Sequence, residues 1–171
     1  MKRVYFSGKF NKSKNTILPD ALSYDYRALL LGSATDLAFA QPNLIVDNSF
    51  IYSGPFYCEE ASKGNYTSTD CNTVLNAEFE AVKNSQTFVC VFSESFSVGT
   101  VVELGWAIEQ NKEIIILYKE EEGNYAIKSE YWFAIANAMQ KSNKIKVYKY
   151  QKYDEISLII KKLLKGECYA V

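Results

Sequence analysis

Two short runs of the chain are apolar without a break: FVCVF at residues 88–92 and IIILY at 114–118. Both are rich in β-branched and aromatic residues, and a helix-length segment, TVVELGWAIEQNK, separates them. This arrangement predicts a βαβ unit whose strands are parallel and covered on both faces. In such a unit a ligand crevice lies beyond the carboxyl ends of the strands, here where the loop SESFSVG enters the helix. Upstream, residues 3–7 (RVYFS) read as a first strand closed by Gly8, and residues 24–31 as a short helix stopped by Gly32. Residues 44–46 and 50–52 form an extended region around the turn-forming Asp47-Asn48, and Gly54-Pro55 punctuates that region. Residues 59–68 are polar and suit a loop or lid beside a site. A long helix then runs to Asn84 from a cap at Thr69 or Asp70, with Val74, Ala77, Ala81 and Val82 at helical spacing. Beyond Tyr118, EEEGNY is a solvated loop, residues 127–140 a helix, 144–148 a strand and 154–164 a closing amphipathic helix. Strand and helix alternate throughout. The expectation is one α/β domain over residues 1–171, a Rossmann-like or flavodoxin-like three-layer sandwich on a parallel sheet of about five strands.

Composition narrows the function classes. A net charge of −1, with 23% charged residues, gives no electrostatic footprint for a nucleic acid polymer or an anionic membrane. No apolar run reaches transmembrane length and the N-terminus lacks a signal-peptide pattern. The four cysteines show no C-x-x-C spacing, and Cys90 falls inside a strand, so reduced thiols and a cytoplasmic location are expected. The chain contains no histidine, which excludes Ser–His and Cys–His nucleophile pairs and most zinc sites. Acid–base chemistry is left to carboxylates, tyrosines and lysines. The absence of G-x-G-x-x-G and Walker patterns removes support for a dinucleotide cofactor or an ATP mechanism.

Three carboxylate positions map near the crevice. Glu103 is read as lying in the first turn of the helix after FVCVF, where the dipole would favour its ionised form, among Val102, Leu104 and Trp106. Glu78 and Glu80 are two apart on the preceding helix, so at most one of them readily faces the site. Asp47 serves equally well as a turn residue. Gly99 lets backbone approach a ligand closely at the helix start, and Ser93, Ser95 and Ser97 surround that loop with hydroxyls.

Taken together, VYFSGKF, VDNSFIYSG, EFEAVKNSQTFVCVF and SVGTVVELGWAIEQNKEIIIL resemble the nucleoside 2-deoxyribosyltransferase family over most of the chain. Residues 99–107, G-x-x-x-E-L-G-x-A, carry the most specific part of the resemblance. It implies transfer of 2-deoxyribose from a deoxynucleoside or deoxynucleotide to a free nucleobase, through a covalent sugar on Glu103. Glu78 stands where the family has an aspartate near the base, one methylene longer. Tyr5 and Phe10 match aromatics that surround the base. The segment WFAIAN implies that Asn137 reaches the sugar 5′-hydroxyl in a neighbouring subunit, hence a homo-oligomer with shared sites. The tail ECYAV places Tyr169 as the counterpart of a terminal tyrosine near the nucleophile, although here it is not the last residue. Neither a metal nor an organic cofactor is implied.

One departure shifts the balance. Many of these transferases carry aspartate six residues before the nucleophile, and this chain has Ser97. A serine hydroxyl can donate to a 5′-phosphate that an aspartate would repel. Serine there is similar to the related 2′-deoxynucleoside 5′-phosphate N-hydrolases, which pass the sugar to water. Ser97 equally suits a free 5′-hydroxyl or a helix cap. The family's base-recognising glutamine has no counterpart near Ser49. A third reading, from another class, is a catalytically silent nucleotide-binding module.

Overall fold

The structure is a computed structural model that describes residues 1–8, 26–31, 44–55, 68–92, 97–119 and 129–167. Its elements are β1 (Lys2–Gly8), α1 (Tyr26–Leu31), β2 (Ile45–Val46), β3 (Phe50–Gly54), α2 (Ser68–Asn84) and β4 (Thr87–Phe92). They continue with α3 (Val98–Glu109), β5 (Glu113–Lys119), α4 (Ser129–Lys141), β6 (Ile145–Tyr150) and α5 (Glu155–Leu164).

The strands form one sheet in the order β2-β3-β1-β4-β5-β6. β3, β1, β4, β5 and β6 are mutually parallel, and β2 is a two-residue antiparallel edge. The expected parallel strands are therefore present with one short addition. Asp47 and Asn48, both at positive φ, turn β2 into β3, and Ser49 N–H donates to Val46 O at 2.8 Å. Every residue of β4 is buried, as a central strand covered on both faces requires.

Alternation along the strands sorts side chains into two cores. Val4 and Phe6 of β1 point to a layer formed by α1 and α5, where Leu30, Ile156 and Ile159 are fully or almost fully buried. Tyr5 of β1, with Phe88 and Cys90 of β4, points instead to α2, α3 and α4. This is the expected three-layer architecture.

Sequence order reverses between β1 and β4, since β1 leads to β3 on one side and the chain then crosses to β4 on the other. Such a switch point opens a crevice at the carboxyl ends of its two strands. Several helix bounds differ from expectation. Ser68, Thr69 and Asp70 all lie inside α2, and Ala77 is exposed, so the buried stripe of α2 is carried by Ala81 and Val82. Most of the polar stretch expected at residues 59–68 lies outside the described residues. Among the described residues no helix is long and apolar enough to cross a membrane.

Candidate active site

α3 begins two residues earlier than the sequence suggests, because Ser97 caps it and Val98 and Gly99 are already helical. Ser97 Oγ accepts from Thr100 N–H at 3.4 Å, and Ser97 N–H donates to Tyr131 Oη at 3.2 Å. The shift moves Glu103 into the second turn; the first turn of α3 has no acidic residue. The expectation that the helix dipole sets its charge is therefore corrected, since that effect fades within one turn. Thr100, Leu104 and Ala107 form the buried stripe of α3, and Glu103 stands beside them on the same face. Burial of Leu104 stabilises this docking by about 2 kcal/mol and fixes the rotation of α3 that turns Glu103 toward β1.

On β1, Tyr5 and Ser7 are two residues apart and so share a face. The Tyr5 hydroxyl lies 2.7 Å from Glu78 Oε2 and 2.8 Å from Glu103 Oε1. Ser7 Oγ donates to the other Glu103 oxygen, Oε2. Glu78 reaches this point because it shares a helical face with Ala81 and Val82 of α2. Glu80 points away to solvent and pairs with Lys83 at 3.0 Å. Asp47 is a solvent-exposed turn residue that pairs with Lys161 at 2.7 Å and takes no part in the cluster.

Proton counting gives the cluster its character. A phenol has one hydrogen and an ionised carboxylate has none, so Tyr5 cannot satisfy two ionised carboxylates at once. One carboxyl must hold a proton and donate it to the phenol oxygen. Tyr5 keeps its own proton: burial, then the charges of Glu103 and Glu78, push its pKa well above 10.0. Glu103 is raised above the ordinary 4.5, chiefly by burial, while the hydrogen bonds from Ser7 and Tyr5 and the charge of Arg27 pull it back down. Cys90, beneath the cluster on β4, is buried and unpaired, its thiol pushed up by burial and then by Glu103. It is an inert core residue.

The remaining sequence candidates divide. The Tyr5 ring is fully buried and stacks on Phe88 with centroids 5.6 Å apart, so it offers a hydroxyl to the acids and no face to a base. Gly99 is exposed, and a β-carbon there would meet nothing nearer than Ser97 Oγ at 4.0 Å. The protein itself therefore does not require glycine there. Asn137 is exposed on α4, the helix that also exposes Trp132, Phe133 and Met139. Phe10, Ser93, Ser95 and Tyr169 lie outside the described residues. Sequence reasoning misses Ser7, although its position two residues after Tyr5 in a strand is an available signal. Gly54 has no role in the sequence pattern beyond punctuation. It has φ +150°, and a β-carbon on it would lie 2.9 Å from Tyr5 Cε2 and 3.0 Å from Ala81 Cβ. Its missing side chain is the space in which Tyr5 sits. Among the described residues no group of three or more His, Cys, Asp or Glu could hold a metal ion.

No family model matches the chain, and no curated protein does. Among solved structures, it is similar to the CMP N-glycosidase BcmB of Clostridium botulinum, at 20% identity and a TM-score of 0.51, over 93% of this chain and 98% of that one. A conserved protein from Enterococcus faecalis V583 aligns at 15% identity and a TM-score of 0.46, over 95% and 99% of the two chains. The first likeness shows that this chain shares the fold of the botulinum enzyme.

Proposed function

We propose that the chain cleaves the N-glycosidic bond of a 2′-deoxynucleoside or its 5′-phosphate in two steps, with Glu103 as nucleophile and Glu78 as proton donor. The observation that carries this reading is the bridge of one phenol between two carboxyls. It holds the two bonded oxygens at most about 5.5 Å apart, the separation suited to a retaining glycosyl transfer. Burial raises Glu103, and Ser7, Tyr5 and Arg27 act against that and favour its anion. The shared proton is assigned to Glu78 as part of the proposal. In the first step a Glu103 oxygen bonds to C1′ as the C1′–N bond breaks, and its electron pair leaves with the base, which takes the Glu78 proton. In the second step the Glu78 carboxylate accepts a proton from the acceptor. That acceptor bonds to C1′, and the glutamyl ester breaks to restore the Glu103 anion.

The acceptor separates two readings. The sequence resemblance favours a second nucleobase, making the chain a nucleoside 2-deoxyribosyltransferase. Ser97, together with a fold shared with a CMP N-glycosidase, favours a 5′-phosphate substrate and water. Ser97 spends an acceptor lone pair on the cap and keeps its hydroxyl hydrogen available for a phosphate oxygen. Deoxycytidine, dCMP and CMP, each incubated with and without free adenine, distinguish them. Deoxyadenosine from deoxycytidine, dAMP from dCMP or AMP from CMP signifies transfer, and free sugar or sugar phosphate signifies hydrolysis. No turnover of any of the three rejects both in favour of a silent binding module. A 2-fluoro-2-deoxyribosyl adduct attached elsewhere than Glu103 rejects the mechanism.

Glu78→Gln is expected to slow natural substrates by roughly 10²- to 10⁴-fold, because an amide cannot protonate the leaving base. A deoxyribosyl nitrophenolate, whose leaving group needs no proton, should keep turnover within about tenfold of the unaltered protein. Equal losses on both substrates would remove Glu78 from the role. The exposed Asn137, with Trp132 and Phe133 beside it, supports a second copy covering α4 and completing the site. Sedimentation as a single chain at working concentration argues against that part.

A further inference from the structure

The layer opposite the candidate site also reaches it. β1 pairs with β4 as far as Gly8 but with β3 only as far as Gly54, opposite Tyr5, so its last residues are open to other donors on the β3 side. α1 supplies them with two consecutive side chains. The Tyr26 hydroxyl donates to Ser7 O at 2.9 Å, and Arg27 donates from Nη1 to Phe6 O at 3.0 Å and from Nη2 to Gly8 O at 3.2 Å. The three carbonyls held in this way are centred on Ser7, whose hydroxyl grips Glu103. Arg27 has no solvent exposure at all. Removing a guanidinium from water is costly unless acceptors and a counter-charge surround it. The carbonyls provide acceptors, and the Arg27 charge is felt at the Glu103 carboxyl.

Resting on the assignment of Glu103 as nucleophile, we propose that Arg27 is a positioning residue that holds the carbonyls on either side of Ser7 and so locks the Ser7 hydroxyl against Glu103 before substrate binds. Among the described residues the groups facing Glu103 are Tyr5 and Ser7 from β1, Glu78 from α2, Cys90 from β4 and Arg27 from α1. Arg27 is the cation of this described set. Its field acts against the burial that would otherwise favour the protonated acid. A planar fork can hold Phe6 O and Gly8 O together, whereas a lysine of equal charge grips at one point.

The test follows the Glu103 carboxyl carbon by NMR across pH in the unaltered protein, Arg27→Met and Arg27→Lys, alongside kcat and KM. Arg27→Met should move the Glu103 midpoint and the acid limb of kcat/KM to higher pH together, with roughly a tenfold or greater loss of kcat on that acid limb and little change in KM. Arg27→Lys should restore the midpoint yet leave kcat several-fold low. In the unaltered protein the Arg27 side-chain N–H resonance should titrate with the Glu103 midpoint, a reading that stands even where neither variant folds. A folded Arg27→Met with an unmoved midpoint, or an Arg27 resonance flat across the Glu103 transition, overturns the proposal. Should the chain turn over no nucleoside or nucleotide while both resonances still move together, the catalytic reading fails and the Arg27–Glu103 linkage holds.

Discussion

Glu103→Gln should abolish turnover, by roughly 10³-fold or more, and at the same time make the folded chain more stable at neutral pH. The first effect follows from the proposed role of Glu103 as the group that bonds C1′. The second follows from the direction of the Glu103 pKa. In the folded chain this carboxyl holds its proton to higher pH than the ordinary 4.5, chiefly because it is buried. Between the unfolded and folded values the folded state therefore binds more protons, and stability declines as pH rises through that window. Below about 4.5 the penalty is absent, and above the folded value it is complete. Gln carries no such penalty. Its advantage should be on the order of 1 kcal/mol near neutrality and should close as pH falls toward the ordinary carboxylate value. Thermal melts at a series of pH values check this, with turnover measured on the same samples. A variant less stable than the unaltered chain near neutrality would show that Glu103 is held for structure.

The second large effect is expected at Gly54, a residue with no chemistry of its own. An alanine there would have to adopt φ near +150° and place its methyl 2.9 Å from one Tyr5 ring carbon and 3.0 Å from another. The backbone strain costs about 1–3 kcal/mol, and forcing a methyl into a packed core costs a similar amount. Tyr5 has nowhere to retreat, because its other side stacks on Phe88 within 5° of parallel. Gly54→Ala should therefore lose roughly 3 kcal/mol of stability by denaturant titration. In the fraction that still folds, the Tyr5 hydroxyl should be displaced from the two carboxyls and turnover should fall at least about tenfold. Unchanged stability would show that the ring has slack that the geometry denies. Unchanged turnover with lowered stability would separate the packing of Tyr5 from its service to the acids.

Sequence pattern carries the architecture well where burial is complete on both faces. FVCVF and IIILY announce themselves because central parallel strands tolerate no polar alternation. The edge strand β2 escapes notice as a separate element because two residues make no pattern. The start of α3 is displaced because glycine is a poor helix former in isolation. Gly99 nonetheless continues the helix that Ser97 caps, and this is a case of tertiary context overriding propensity. The same displacement takes Glu103 out of reach of the helix dipole. The choice between Glu78 and Glu80 needs only the side of α2 that holds Ala81 and Val82. Arg27 and Gly54 are out of reach, because one acts from the opposite layer and the other through a space it leaves empty. Neither relation has a local signature.

The approach of Arg27 from α1 has an evolutionary corollary. The surfaces that would meet a sugar and a base belong to the α2 and α3 side of the sheet, while the cation that tempers Glu103 arrives from behind it. On the role proposed for Arg27, drift in α1 would retune the acidity at which Glu103 works without redrawing the surface proposed to meet substrate. Adaptation to a new medium and adaptation to a new metabolite then have separate addresses in the same chain.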